Sequence, residues 1–116
     1  MSDQRFILEM GTGNDLYGQD PTKAAARAIE DAIRHSSIPL FEVRDIPHDA
    51  MRVEVTVAVP DPSKVDTEAL KAKLPRGRVT VKAVEGGLSV KTPVENGQIL
   101  IAAAAVEAYL PKQSKK

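Results

Sequence analysis

The sequence predicts an α+β domain: a single mixed sheet with two helices on one face, in the order β-α-β-α-β-β-β. Three observations carry that expectation. Arg52 to Val59 alternates strictly, with Val53, Val55, Val57 and Val59 on one side and Arg52, Glu54, Thr56 and Ala58 on the other. Thr22 to His35 is Ala-rich and amphipathic, with Ala25, Ile29, Ala32 and Ile33 on one face. The turn signals Glu85-Gly86-Gly87 and Glu95-Asn96-Gly97 divide the last third into short strands.

The elements follow in order. Arg5 to Met10, with Phe6, Ile7 and Leu8, reads as a short buried strand running into a Gly-rich loop. Asp20-Pro21 marks a helix start, with Asp as N-cap and Pro at the first helical position. Glu30 and Arg34 stand four apart in the favourable order, and Pro39 closes the segment. The Ala-lined face lets this helix lie close to a sheet. Arg52 to Val59 ends at Pro60-Asp61-Pro62, and Asp66 caps a short helix through Lys73, with Val65 and Leu70 as a hydrophobic staple. Val79, Val81 and Ala83 mark the next strand, and Leu88 to Lys91 reads as its hairpin partner. The run Ile99 to Leu110 is rich in Ala, which favours helix, but the Asn96-Gly97 turn before it calls for a strand partner. A strand is therefore expected.

Composition bounds the function classes. The 116 residues suit one domain, here 1–111, followed by a polar basic tail at 112–116. Lys+Arg and Asp+Glu both number 16, so the net charge is zero and the basic excess of a phosphate-binding nucleic-acid protein is lacking. Without cysteine, disulfide scaffolds and thiolate chemistry are excluded, and two His cannot form a three-His metal cage. The longest apolar run, Ile99 to Val106, is far short of the roughly 20 residues of a spanning helix. No leader or lipidation signal is read, so a cytoplasmic protein without nucleic-acid or membrane partners is expected.

One segment carries the chemistry: Gly11-Thr12-Gly13-Asn14-Asp15-Leu16-Tyr17-Gly18-Gln19-Asp20-Pro21. A glycine-rich loop before a helix N-terminus allows close backbone approach and offers N–H groups to an anion. The spacing is G-x-G-x-x-x-x-G, which is neither a dinucleotide fingerprint nor a P-loop. Gly11, Thr12, Gly13, Asn14, Gly18 and Asp20 are the expected ligand-binding residues. Asp15 serves the loop as an Asx-turn residue or acts as acid, base or cation ligand. Tyr17 packs or donates a hydrogen bond to the ligand. No metal site is recognisable, and the cofactor is unknown. His35 suits a helix C-terminus. His48 and Arg44-Asp45 read as surface positions, Arg76-Gly77-Arg78 as a turn cluster that faces water or binds an acidic ligand, and Arg52 as a strand start that is solvated or crosses a subunit interface.

Gly11 to Gly18, followed by Gln19-Asp20 and Thr22-Lys23-Ala24-Ala25, resembles a family of small conserved hypothetical proteins (Lin-type) that carries an N-terminal G-x-G-x-D-x-H-G motif. The likeness runs along most of the chain and includes Ser37-Ile38-Pro39. Gly11, Gly13, Asp15 and Gly18 occupy motif positions, and Tyr17 stands where the motif has His. The resemblance implies a motif but no reaction, and Tyr17 removes the imidazole. The element order is also similar to that of chorismate-mutase-like folds, with core β-α-β-α-β-β. Proteins of that shape, including Rid-type deaminases, are commonly trimers with ligand clefts between subunits.

The functional expectation is a small homo-oligomer, trimeric by that analogy, binding a small anionic or polar metabolite at Gly11–Gly18. In an enzyme, Asp15 would do acid–base work and Tyr17 would donate a hydrogen bond. The alternative is a non-catalytic structural or regulatory assembly module. Oligomerisation follows from the sheet face that the helices leave open.

Overall fold

A computed structural model of the chain describes residues 3–15, 20–34, 51–74, 77–91, 93 and 98–111. Its elements are β1 (Asp3–Asp15), α1 (Pro21–Arg34), β2 (Arg52–Val59), α2 (Thr67–Leu70), β3 (Arg78–Glu85), β4 (Leu88–Lys91) and β5 (Gln98–Pro111). Single 3₁₀ turns at Pro62–Lys64 and Lys71–Lys73 flank α2. This is the expected α+β order on one mixed sheet, β1-β5-β2-β3, with β4 added to β5.

The long strand β5 organises the sheet. Along one side it pairs antiparallel with β1 from Asp3↔Pro111 to Asp15↔Leu100. Along the other side it pairs antiparallel with β2 over Tyr109 to Ala103, and then with β4 over Ile101 to Gln98. The alternating burial of β5 forces the strand: Leu100, Ala102, Ala104, Val106 and Ala108 are buried, and the residues between them are only half-buried. A helix would have scattered that period-two pattern around its axis.

The expected β3–β4 hairpin is corrected. β3 pairs parallel with β2, and β4 pairs with β5. Gly86 and Gly87 carry the chain across the end of β2 instead of turning it back. The Gly86 N–H donates to the Val59 carbonyl at 2.9 Å. Gly87 adopts φ +68°, and a Cβ there would stand 2.3 Å from the Ile101 carbonyl oxygen. β4 thus takes up the flank of β5 where β2 leaves it.

The core lies between the sheet and α1. Ala24, Ala25, Ala28, Ile29 and Ala32 of α1 face Val53, Val55, Val57 and Val59 of β2 and the buried side of β5. The N-caps fall where expected. Asp20 accepts from the N–H groups of Thr22 at 2.9 Å and Lys23 at 3.4 Å. Asp66 accepts from the Ala69 N–H at 3.1 Å. The two caps are joined, because the Asp66 N–H donates to Thr22 Oγ1 at 2.9 Å. Lys73 of the second turn pairs with Glu30 of α1 at 3.1 Å. These ties hold the helical elements to the same side of the sheet.

Candidate functional site

The segment expected to be a loop is strand as far as Asp15. Residues 11–15 are the last part of β1, paired with Leu100–Ala104. This corrects the expected boundary at Met10, and the cause is the closeness of α1. A Cβ on Gly13 would stand 2.3 Å from Ala28 N and 2.5 Å from the Ala24 carbonyl oxygen. One on Gly11 would stand 2.4 Å from Ala32 N and 2.6 Å from the Ala28 carbonyl oxygen. The glycines and the alanines are two halves of one contact, in which helix backbone rests on strand backbone.

The polar groups of the segment are occupied by α1 and its approach. Asp15 is buried, and its Oδ2 accepts the Asp20 N–H at 2.7 Å. Its Oδ1 lies 3.7 Å from Arg27 Nη1. Arg27 also donates to the Asn14 carbonyl. The Thr12 N–H donates to Asp31 Oδ2 at 3.0 Å. β1 is an edge strand, so side chains of α1 satisfy backbone groups that would otherwise lie open to a further strand. Asp20 performs its capping role. Tyr17 and Gly18, with His35, Arg44, Asp45, His48 and Arg76, lie outside the described residues.

The other side of the sheet bears no helix among the described residues. Strand register maps it in rows. At one end Arg5, Tyr109, Arg52 and Arg78 lie across the strands, and the next row holds Leu8, Glu107, Glu54 and Thr80. Then come Met10, Ala105, Thr56 and Lys82, followed by Thr12, Ala103, Ala58 and Val84. The far end holds Asn14, Ile101 and Leu88, and finally Ile99 and Val90. A bulge between Arg5 and Ile7 keeps Arg5 on this face.

The face is thus charged at one end and apolar at the other. Arg5 pairs with Glu107 at 2.9 Å, and the Tyr109 hydroxyl donates to the same carboxylate at 3.0 Å. The hydrogen bond from Arg5, then that from Tyr109, holds Glu107 below the ordinary glutamate range. Being bonded to Glu107 in turn pushes the Tyr109 phenol up. Arg52 lies 4.1 Å above the Tyr109 ring centroid and pairs with Glu54. Arg52, expected to be solvated or to cross a subunit interface, instead joins Tyr109 and Glu54 in a cluster not foreseen from the sequence. Its signal was the alternation of Ile99 to Tyr109, which places Glu107 and Tyr109 together.

In the middle of the face a hollow of about 520 Å³ is lined by Met10, Thr12, Thr56, Ala58, Ala103 and Ala105, with Gly11, Asp31 and Ala104 also contributing. Two expected ligand-binding residues, Gly11 and Thr12, border it. Large apolar side chains stand exposed around it: Leu8 by 44%, Met10 by 66%, Val84 by 39%, Leu88 by 58% and Val90 by 46%. Among the described residues, no group of three or more His, Asp or Glu is placed to hold a metal ion, and no helix is long and apolar enough to cross a membrane.

Comparison with known proteins agrees with this architecture. The crystal structure of an FtsZ-like protein of unknown function from Nostoc punctiforme is similar, with a TM-score of 0.80 and 41% sequence identity. The match covers 97% of this chain and 99% of that one. No curated protein matches the sequence. A family described as conserved hypothetical protein (Lin0512_fam) matches residues 5–108. With nearly its whole length matched, the chain belongs to this conserved hypothetical family.

Proposed function

We propose that the protein is a non-catalytic assembly module that associates with copies of itself through the open face of its sheet. The observation that carries this reading is the exposure of Met10, Val84, Leu88 and Val90 on one continuous face. Among the described residues no second layer covers this side of the sheet, and such a patch is the mark of an interaction surface. The zero net charge leaves no overall repulsion between copies. The segment 11–15 supports the same reading, since its glycines seat α1 and its aspartate anchors the turn into that helix. Size-exclusion chromatography of the full chain and of Leu88→Lys tests it. The unaltered protein elutes as an oligomer and Leu88→Lys as a folded monomer. Equal elution of both as monomers overturns the proposal.

A second reading is favoured by the hollow itself. Its volume of about 520 Å³ lies within the range of small-molecule sites. Gly11, Thr12 and Thr56 offer polar groups at its margin, so a small polar metabolite is the guest this reading names. A thermal-shift screen of metabolites tests it. A ligand at 100-fold its Kd stabilises by roughly 2.7 kcal/mol, and no shift across the screen contradicts it.

A further inference from the structure

We infer that two copies dock face to face about a two-fold axis crossing β5 between Ile101 and Ala103, each placing an apolar ridge into the other's hollow. This rests on the assembly reading above and adds its register. The ridge is Ile99 and Ile101 of β5 with Leu88 and Val90 of β4, which register pairs side by side. The hollow is floored by Ala103 and Ala105 of β5 with Thr56 and Ala58 of β2, also paired side by side. Ridge and hollow therefore lie end to end along the same strands.

A two-fold contact requires that residue i meet j and j meet i. An axis perpendicular to the strands, midway between Ile101 and Ala103, meets that requirement and sets the large Ile99, Ile101 and Leu88 against alanine. Ile101 falls on the partner's Ala103, Ile99 on the partner's Ala105, Leu88 on the partner's Ala58, and Val90 on the partner's Thr56. The reverse contacts are then identical. Other registers along the strands set Ile against Ile or Ala against Ala, leaving clashes or voids. The β5 strands of the two copies run antiparallel across that axis.

Charge and area support the same placement. The axis leaves the Arg5–Glu107–Tyr109 and Arg52–Glu54 groups beyond the contact, where they keep their own partners. The strip from Ile99 to Ala105 across three strands measures roughly 25 by 20 Å with its bounding side chains. Counting relief, that is on the order of 600 Å² per copy and about 1,200 Å² for the pair, the lower bound for a specific stable interface.

A ridge–hollow exchange tests the register. Ala103→Ile sets Ile against the partner's Ile101, and Ile101→Ala sets Ala against the partner's Ala103. The double variant A103I/I101A restores small against large with the same composition. Dimer dissociation constants from sedimentation equilibrium, with far-UV circular dichroism as the check on folding, read the result. Each single variant weakens the dimer about 100-fold, and the double variant returns to within about tenfold of the unaltered protein. Should a single variant not fold, Ala105→Ile with Ile99→Ala performs the same exchange one row further out. An unaltered protein that associates while the double variant is no better than the singles overturns the register and leaves the assembly reading standing. So do singles without effect. A monomeric unaltered protein overturns both.

Discussion

Gly13 of β1 lies under the backbone of Ala28, so close that a Cβ on it would stand 2.3 Å from the Ala28 nitrogen. This contact sets the distance between α1 and the sheet. The neighbouring atoms are main chain, which cannot move aside without shifting the whole helix. Gly13→Ala is expected to destabilise the protein by about 3 kcal/mol or more. The urea midpoint should fall while the slope of the transition holds.

Asp15 separates a structural from a chemical role. Its carboxylate accepts the Asp20 N–H at 2.7 Å inside the turn that starts α1. Asp15→Ala leaves that donor without its partner and should cost about 1–3 kcal/mol. Asp15→Asn keeps an acceptor oxygen and should cost less. Thermal unfolding of both variants checks the order, and their oligomer size should match that of the unaltered protein.

The Arg5–Glu107 pair predicts a pH dependence. The folded Glu107 pKa is lowered, first by the hydrogen bond from Arg5 and then by that from Tyr109. Its contribution is therefore present above the unfolded glutamate pKa of about 4.3 and is lost as pH falls through the lowered folded value. Arg5 is half exposed, so the difference between the unaltered protein and Glu107→Gln should be at most about 1 kcal/mol at pH 7. It should shrink as pH falls below the unfolded glutamate value and vanish once pH has passed below the lowered folded one. Urea titrations of both proteins across that range check the sign.

At the β3–β4 crossing, Gly87 combines φ +68° with a Cβ position 2.3 Å from the Ile101 carbonyl oxygen. Gly87→Ala should destabilise by about 2 kcal/mol or more. Because β4 supplies Leu88 and Val90 to the open face, the same change should also weaken self-association. Thermal unfolding and sedimentation read the two effects separately.

Where local pattern decides structure, the sequence was readable. The alternation of Arg52–Val59 marked β2 without error, Asp20 and Asp66 marked their caps, and the Asn96-Gly97 signal before Ile99 pointed to the last strand despite its alanines. Gly11 and Gly13 misled because glycine is a poor strand residue in isolation. Its place here is set by α1, whose row of Ala24, Ala28 and Ala32 was visible but not joined to the glycines. Gly86-Gly87 misled for a related reason. A hairpin and a crossing use the same flexible residues, and only the competition for β2 and β5 decides between them. The open face was foreseen as needing cover. Its division into charged and apolar ends depends on register across five strands, which no single segment displays.

Sedimentation velocity of the unaltered chain, from about 1 to 100 μM, decides whether copies associate. Self-association through the open face gives a concentration-dependent shift toward a species of at least twice the 12.5 kDa chain mass. A single monomeric boundary across the whole range contradicts it.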